Sequence, residues 1–112
     1  MKKLKEREQV KNRLKYRIML EKECTENCAQ WMVRRIEGLI GHMQYGHALI
    51  AYKRQDGRFC LAKSTLIYYE RTFGKTPGME QIKGGTLIYW DVEAQGWRNL
   101  MVENFLEWRP VV

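Results

Sequence analysis

Residues 87–100 read LIYWDVEAQGWRNL, and the fold turns on how this run is folded back on itself. Ile88, Trp90 and Val92 alternate with Leu87, Tyr89 and Asp91, the two-residue period of a strand whose successive side chains point to opposite faces. The first set is wholly apolar and is expected to face a core. Gly96 suits a three-residue turn with a bulge, which pairs Glu93 with Trp97 and Trp90 with Leu100. Tyr89, Asp91, Trp97 and Asn99 then share the outer face, with Arg98 beside Val92 at a rim. A four-residue turn instead sets Asp91 across from Arg98 as an ion pair. Moving the pairing by one residue exchanges every face, so both versions stay open here.

Upstream, HALIAYKRQDGRFCLAK (47–63) reads as strand, Asp-Gly turn and strand. The segment STLIYYERTFGKTPGMEQIKGG (64–85) is mixed: one or two helical turns, then a loop marked by Gly74, Pro77, Gly78, Gly84 and Gly85. Downstream, FLEWRPV (105–111) supplies a last strand, and Pro110 suits the end of an edge strand because it cannot donate to a ladder. Five strands joined mostly by tight turns predict a small curled sheet or barrel.

Two helices are expected ahead of it. Lys3–Glu23 contains no Pro or Gly, and Val10, Leu14 and Ile18 recur every four positions between Lys and Arg, a narrow apolar stripe on a basic helix. Thr25 is placed to cap a second helix on which Cys28, Trp31, Met32, Ile36, Leu39 and Ile40 recur at spacings of three and four, ending near Gly41. The expected division is a basic helical extension over 1–43 and a barrel over 44–112. The fold class is α+β: a small five-stranded, SH3-like antiparallel β-barrel preceded by N-terminal helices. Trp31 and Trp108 are assigned to packing.

Charge is unevenly placed. The chain carries +7, and residues 1–17 hold eight basic groups against Glu6 and Glu8. Such an arm attracts phosphate backbones or anionic surfaces, or simply solvates a helix end. Three cysteines, no apolar run of signal length and none approaching the roughly 20 residues of a membrane span point to reduced thiols in a cytoplasm. Cys24, Cys28, His42 and His47 fall within the loose spacing of a two-cysteine, two-histidine zinc site. The cysteines lie on or beside helices, however, and the histidines straddle Gly46, so no metal is assigned. Cys60 alternates within a strand as a small buried residue. No nucleophile stands beside a plausible base, no acidic pair is close in sequence, and no phosphate-binding glycine loop is present. The expectation is a non-enzymatic chain without a cofactor.

The run LIYWDVEAQGWRNLMVENFLEW (87–108) resembles the core of WYL domains, which have an Sm-like, SH3-type barrel fold, and ALIAYKRQDGRFCLAKSTL is similar to the first hairpin of a compact bacterial branch of that group. The likeness spans about residues 37–109. It implies a ligand-sensing module, often linked to transcriptional regulation, with nucleotides or single-stranded nucleic acid as ligands. Better-studied members carry a basic Arg-Leu-Asp-Arg-like motif after the second hairpin. Met101, Val102, Glu103 and Asn104 stand there instead, and Arg98 is the basic position that remains.

On the functional reading, Tyr89 and Trp97 form a stacking platform with Arg98 beside it, Lys53, Arg54 and Arg58 extend a basic surface around the first turn, and Lys11 and Lys15 contribute from the arm. On the structural reading the rings are core and the charges are solvated. The expected partner is single-stranded DNA or RNA, or a nucleotide-like ligand, and no membrane. The competing expectation is a protein-interaction module, in which a barrel edge and the Val10, Leu14 and Ile18 stripe bind a partner or a second copy.

Overall fold

The structure is a computed structural model describing residues 2–82 and 84–111, with side chains from Lys5 onward; Lys2 and Lys3, counted above in the basic arm, have side chains outside the described residues. Helix α1 (Lys2–Lys22) ends where Glu23 takes a left-handed φ of 52°. Thr25 then caps α2 (Glu26–Met43), its Oγ1 accepting from the Cys28 amide at 3.2 Å. A link this short turns α2 back along α1. Lys15 bridges the two helices to Glu26 at 2.8 Å, and Lys11 reaches Glu37 at 3.3 Å. The second helix continues past Gly41 to Met43, because the buried side chains of Leu39, Ile40 and Met43 outweigh a glycine cost of about 1 kcal/mol.

Five antiparallel strands follow: β1 (His47–Lys53), β2 (Phe59–Thr65), β3 (Thr86–Asp91), β4 (Gly96–Met101) and β5 (Phe105–Pro110), in the order β4-β3-β2-β1-β5. Between β2 and β3 lie the short helix α3 (Tyr69–Phe73) and a 3₁₀ turn at Met79–Ile82. The outermost strands are consecutive in the chain, separated only by the 3₁₀ turn Val102–Asn104. In a flat five-stranded sheet those edges would stand about 19 Å apart. A 3₁₀ link of this length spans about 8 Å. The sheet must therefore curl, bringing β4 round toward β5.

One hydrophobic core runs through helices and sheet. Val10, Leu14 and Ile18 are at most 7% exposed and meet Ile36, Leu39, Ile50, Leu87 and Phe105 in the same cluster. The α1 stripe expected as a partner seam is thus covered within the chain itself. Trp31, expected in the core, is 51% exposed, because its place on α2 falls outside the buried face formed by Ala29, Val33, Ile36 and Ile40. Trp108 is half-buried, donating from its indole to the Arg35 carbonyl at 2.9 Å. Cys60 is half-buried beside the core.

The first hairpin turns at Asp56-Gly57, with Gly57 at φ 86° and the Arg58 amide donating to Asp56 Oδ1 at 3.0 Å. The bulged three-residue turn expected for the second hairpin occurs in this first one. The second hairpin uses the four-residue turn, 92–95, but it pairs Asp91 with Gly96, Trp90 with Trp97 and Tyr89 with Arg98, so Arg98 is not directly across from Asp91 as that alternative expected. The faces expected for β3 are therefore reversed: Leu87, Tyr89 and Asp91 are buried, and Ile88, Trp90 and Val92 are half-buried on the other side. Asp91 decides the register. Its Oδ1 accepts from the Glu93 and Ala94 amides at 3.1 and 2.9 Å, the side-chain turn that aspartate favours. The left-handed position is Gln95, φ 57°, and not Gly96.

Candidate functional site

The reversed register splits the expected platform. Tyr89 and Arg98 are directly opposed and share a face, whereas Trp97, the neighbour of Arg98 along the strand, points to the other. Trp97 joins Trp90, Phe73 and Tyr69 at ring-centroid distances of 5.4, 5.0 and 6.2 Å, packed under α3. Tyr89 is fully buried and unavailable for stacking. Its hydroxyl lies 2.7 Å from that of Tyr52 on β1, tying the two sides of the curled sheet together. Burial is the main cause that pushes the Tyr89 phenol far above its ordinary pKa, with the Tyr52 hydrogen bond adding to it. This side chain stays a neutral structural hydroxyl.

Above that pair opens a cleft of about 490 Å³, within the size range of small-ligand sites. One wall is the end of β1 and the first turn: Tyr52, Lys53, Arg54, Gln55 and Asp56. The other is β4 and the 3₁₀ turn that follows: Arg98, Asn99, Leu100, Met101 and Asn104. The cleft follows from the topology. Beyond the Tyr52–Phe105 pair, β5 no longer accompanies β1, so the hairpin tip projects and leaves a mouth facing β4.

Three cations converge on this mouth. Arg98 Nε is 3.4 Å from Asp91 Oδ2, a diagonal cross-strand pair, yet half of the arginine side chain is exposed. Arg54 Nε is 3.9 Å from Asp56 Oδ2 and likewise half exposed. Lys53 is exposed and has no carboxylate within ion-pair distance among the described residues. The Arg54 pair, exposed at both ends, contributes at most about 1 kcal/mol and yields to a better anionic ligand, whereas Asp91 is buried, so Arg98 keeps that partner and offers a ligand its exposed half. Tyr52 lines the cleft but is only 4% exposed, too little to offer a stacking face. The cleft lining thus carries three cations against the single carboxylate of Asp56, with amide side chains beside them, which suits phosphate or carboxylate oxygens better than a base.

Of the residues named from sequence, Lys53, Arg54 and Arg98 come together here. Arg58 sits at the exposed turn, its Nε 4.0 Å from Asp56 Oδ2, and is outside the cleft lining. Lys11 and Lys15 line a separate groove between α1 and α2 with Glu8 and Arg34. Both are engaged there by carboxylates, and Glu8 above all raises the Lys11 pKa. Three of the arm's basic side chains are thus engaged by carboxylates of the chain itself, the third being Arg17, which grips Glu103 through Nε at 2.9 Å and Nη2 at 3.1 Å. That guanidinium lies over Gly85, where an added Cβ would come within 2.5 Å of it at φ +89°. Sequence reasoning missed Tyr52, Gln55, Asn99 and Asn104. Tyr52 carries a local signal, the alternation of Ala48, Ile50 and Tyr52; the amides carry none.

Cys24, Cys28, His42 and His47 do not converge: among the described residues no three His, Cys, Asp or Glu side chains gather as a metal site would need. His42 Nε2 lies 2.8 Å from the His47 carbonyl oxygen, and its ring packs 5.4 Å from that of Trp108. No described helix is long and apolar enough to cross a membrane.

A curled five-stranded antiparallel sheet, preceded by two helices and carrying a cationic cleft at its mouth, defines a domain of the small-barrel class. A family model, WYL_2, with an Sm-like SH3 beta-barrel fold, matches residues 36–106, and the chain belongs to that family. The match begins within α2, so the helix that packs on β1 and β5 is partly included. No curated protein and no solved structure matches the chain.

Proposed function

We propose that this chain is a non-enzymatic binding module whose ligand is phosphate-bearing, a single strand of nucleic acid or a nucleotide, held at the cleft between the first hairpin and β4. The observation that carries the reading is the convergence of Lys53, Arg54 and Arg98 from two distant segments on one opening. Lys53 and Arg54 would supply charge from the hairpin tip, Arg98 a planar fork for phosphate oxygens, and Asn99 and Asn104 neutral hydrogen bonds. Recognition would run through phosphates, since the cleft offers no exposed ring. The WYL_2 membership is consistent with a binding module and leaves the ligand open.

Binding of labelled oligothymidylate and oligouridylate, followed by fluorescence anisotropy across salt, tests this. Three phosphate contacts on a single strand give a slope of log K against log salt of about −2, a loss of about twentyfold between 50 and 200 mM. Arg98→Gln is expected to reduce the slope by about 0.7. Absence of binding at 50 mM salt, or a slope untouched by changes at Lys53, Arg54 and Arg98, overturns the proposal.

A further inference from the structure

The first hairpin has an edge without a neighbour. The Arg54 amide donates to the Arg58 carbonyl at 2.8 Å, and antiparallel bonding repeats every second residue. The backbone groups of Cys60, Ala62 and Ser64 therefore face β1, opposite Tyr52, Ile50 and Ala48. Those of Phe59 and Leu61 face the other way. On that side β3 pairs only with Ser64 and Thr65, and the Val92 amide reaches the Lys63 carbonyl at 2.9 Å. Among the described residues nothing else bonds there, so the amides and carbonyls of Phe59 and Leu61 look onto open surface.

The side chains agree. Phe59 and Leu61 are 62% and 63% exposed. Across the ladder Leu61 stands beside Ala51, and the exposed Leu49 beside Lys63, giving an apolar strip on the outer face. Proteins ordinarily blunt such edges with proline, a bulge or charge, and residues 59–62 contain none of these. The flanks are cationic: Lys53 opposite Phe59, Lys63 opposite Leu49, and Arg58 at the turn.

We infer that this edge accepts an extended acidic peptide, which adds to β2 as a further strand and lays alternate apolar side chains over Phe59 and Leu61. Main-chain bonds would supply affinity, and Lys53 and Lys63, which share the face of Phe59 and Leu61, would select acidic residues flanking the apolar pair on that face. The same charges disfavour a second copy, because a two-fold axis through Leu61 would gather Lys53, Arg58 and Lys63 of both chains along one seam. This edge is on the opposite side of β2 from β1; Lys53 is common to it and to the cleft lining, but the open backbone groups and side chains of Phe59 and Leu61 are not part of the cleft.

The test uses the full chain with a labelled nine-residue peptide in which two Val or Ile, two positions apart, are flanked by Glu on the same face with Thr at the positions between, and its counterpart with Lys in place of Glu. Anisotropy gives the affinity, and amide hydrogen exchange read by NMR gives the location. The acidic peptide is expected to bind and to protect the Phe59 and Leu61 amides, leaving Cys60 and Ala62, already bonded to β1, unchanged. Leu61→Pro removes an outward donor without removing a bond to β1, and is expected to weaken binding by about tenfold or more. Should proline disturb the strand, Leu61→Glu keeps the backbone and sets a like charge against the peptide, with the same expected loss. Failure of the acidic peptide to bind, equal binding of the basic one, or binding without protection at Phe59 and Leu61 overturns the proposal. So does self-association by light scattering with those two amides protected in the absence of peptide, which would assign the edge to a second copy.

Discussion

Replacing Ile18 by alanine separates an α1 that belongs to the core from an α1 whose stripe awaits a partner. Ile18 is fully buried among helix and sheet residues of the one core cluster. The side-chain carbons lost are worth about 2.4 kcal/mol in transfer free energy alone. An unrelaxed cavity raises the cost, and the better helix propensity of alanine returns about 0.5 kcal/mol, leaving about 3 kcal/mol. A chain of 112 residues unfolds with an entropy of about 0.24 kcal/mol/K, so the expected fall in Tm is about 12 °C. Urea denaturation and a thermal scan measure both quantities. Leu20→Ala, at a position 79% exposed, is the control and should stay within about 0.5 kcal/mol. A loss below about 1 kcal/mol for Ile18→Ala, or a Tm that rises with protein concentration, refutes the intramolecular reading and returns the stripe to an interface.

Tyr89→Phe leaves the buried Tyr52 hydroxyl without its partner and is expected to cost about 1–2 kcal/mol in urea, whereas the double variant with Tyr52→Phe recovers most of it; simple additivity would show that the pair is uncoupled. Because burial, then the Tyr52 hydrogen bond, raises the Tyr89 pKa in the fold, its contribution is intact below the unfolded value of about 10 and is lost as pH rises beyond it. Stability measured through alkaline pH should therefore fall less steeply in Tyr89→Phe. Glu103 behaves in the opposite sense. Burial pulls its carboxyl upward, but the Arg17 hydrogen bond, a backbone hydrogen bond and the charges of Arg17 and Lys22 together hold it below the ordinary 4.5. Its contribution is present above that value and is lost as pH falls through the folded one, so Glu103→Gln should flatten the acid limb of the stability curve. An unchanged limb would show that the α1 clamp on the Val102–Asn104 turn is not linked to folding.

What the sequence settled is what short-range geometry controls. The absence of Gly and Pro before Glu23, the Thr25 cap, the Asp56-Gly57 turn and the alternation from Ala48 to Tyr52 each act within a few residues, and each is in place. The barrel class was legible for the same reason, as five short strands punctuated by turns, and the family match carries it independently. The faces of β3 were not legible, because three-residue and four-residue turns differ by a single position and a strand has period two. Trp90 is as apolar as any core residue, yet the Asp91 carboxylate bonded to two turn amides fixed the register that buries Tyr89. Only the tertiary structure decided where the arm's charge goes, since Arg17 and Glu103 stand 86 residues apart. It alone also brought Lys53 and Arg54 to Arg98, because a cleft between the ends of a curled sheet exists only after the outermost strands have been drawn together.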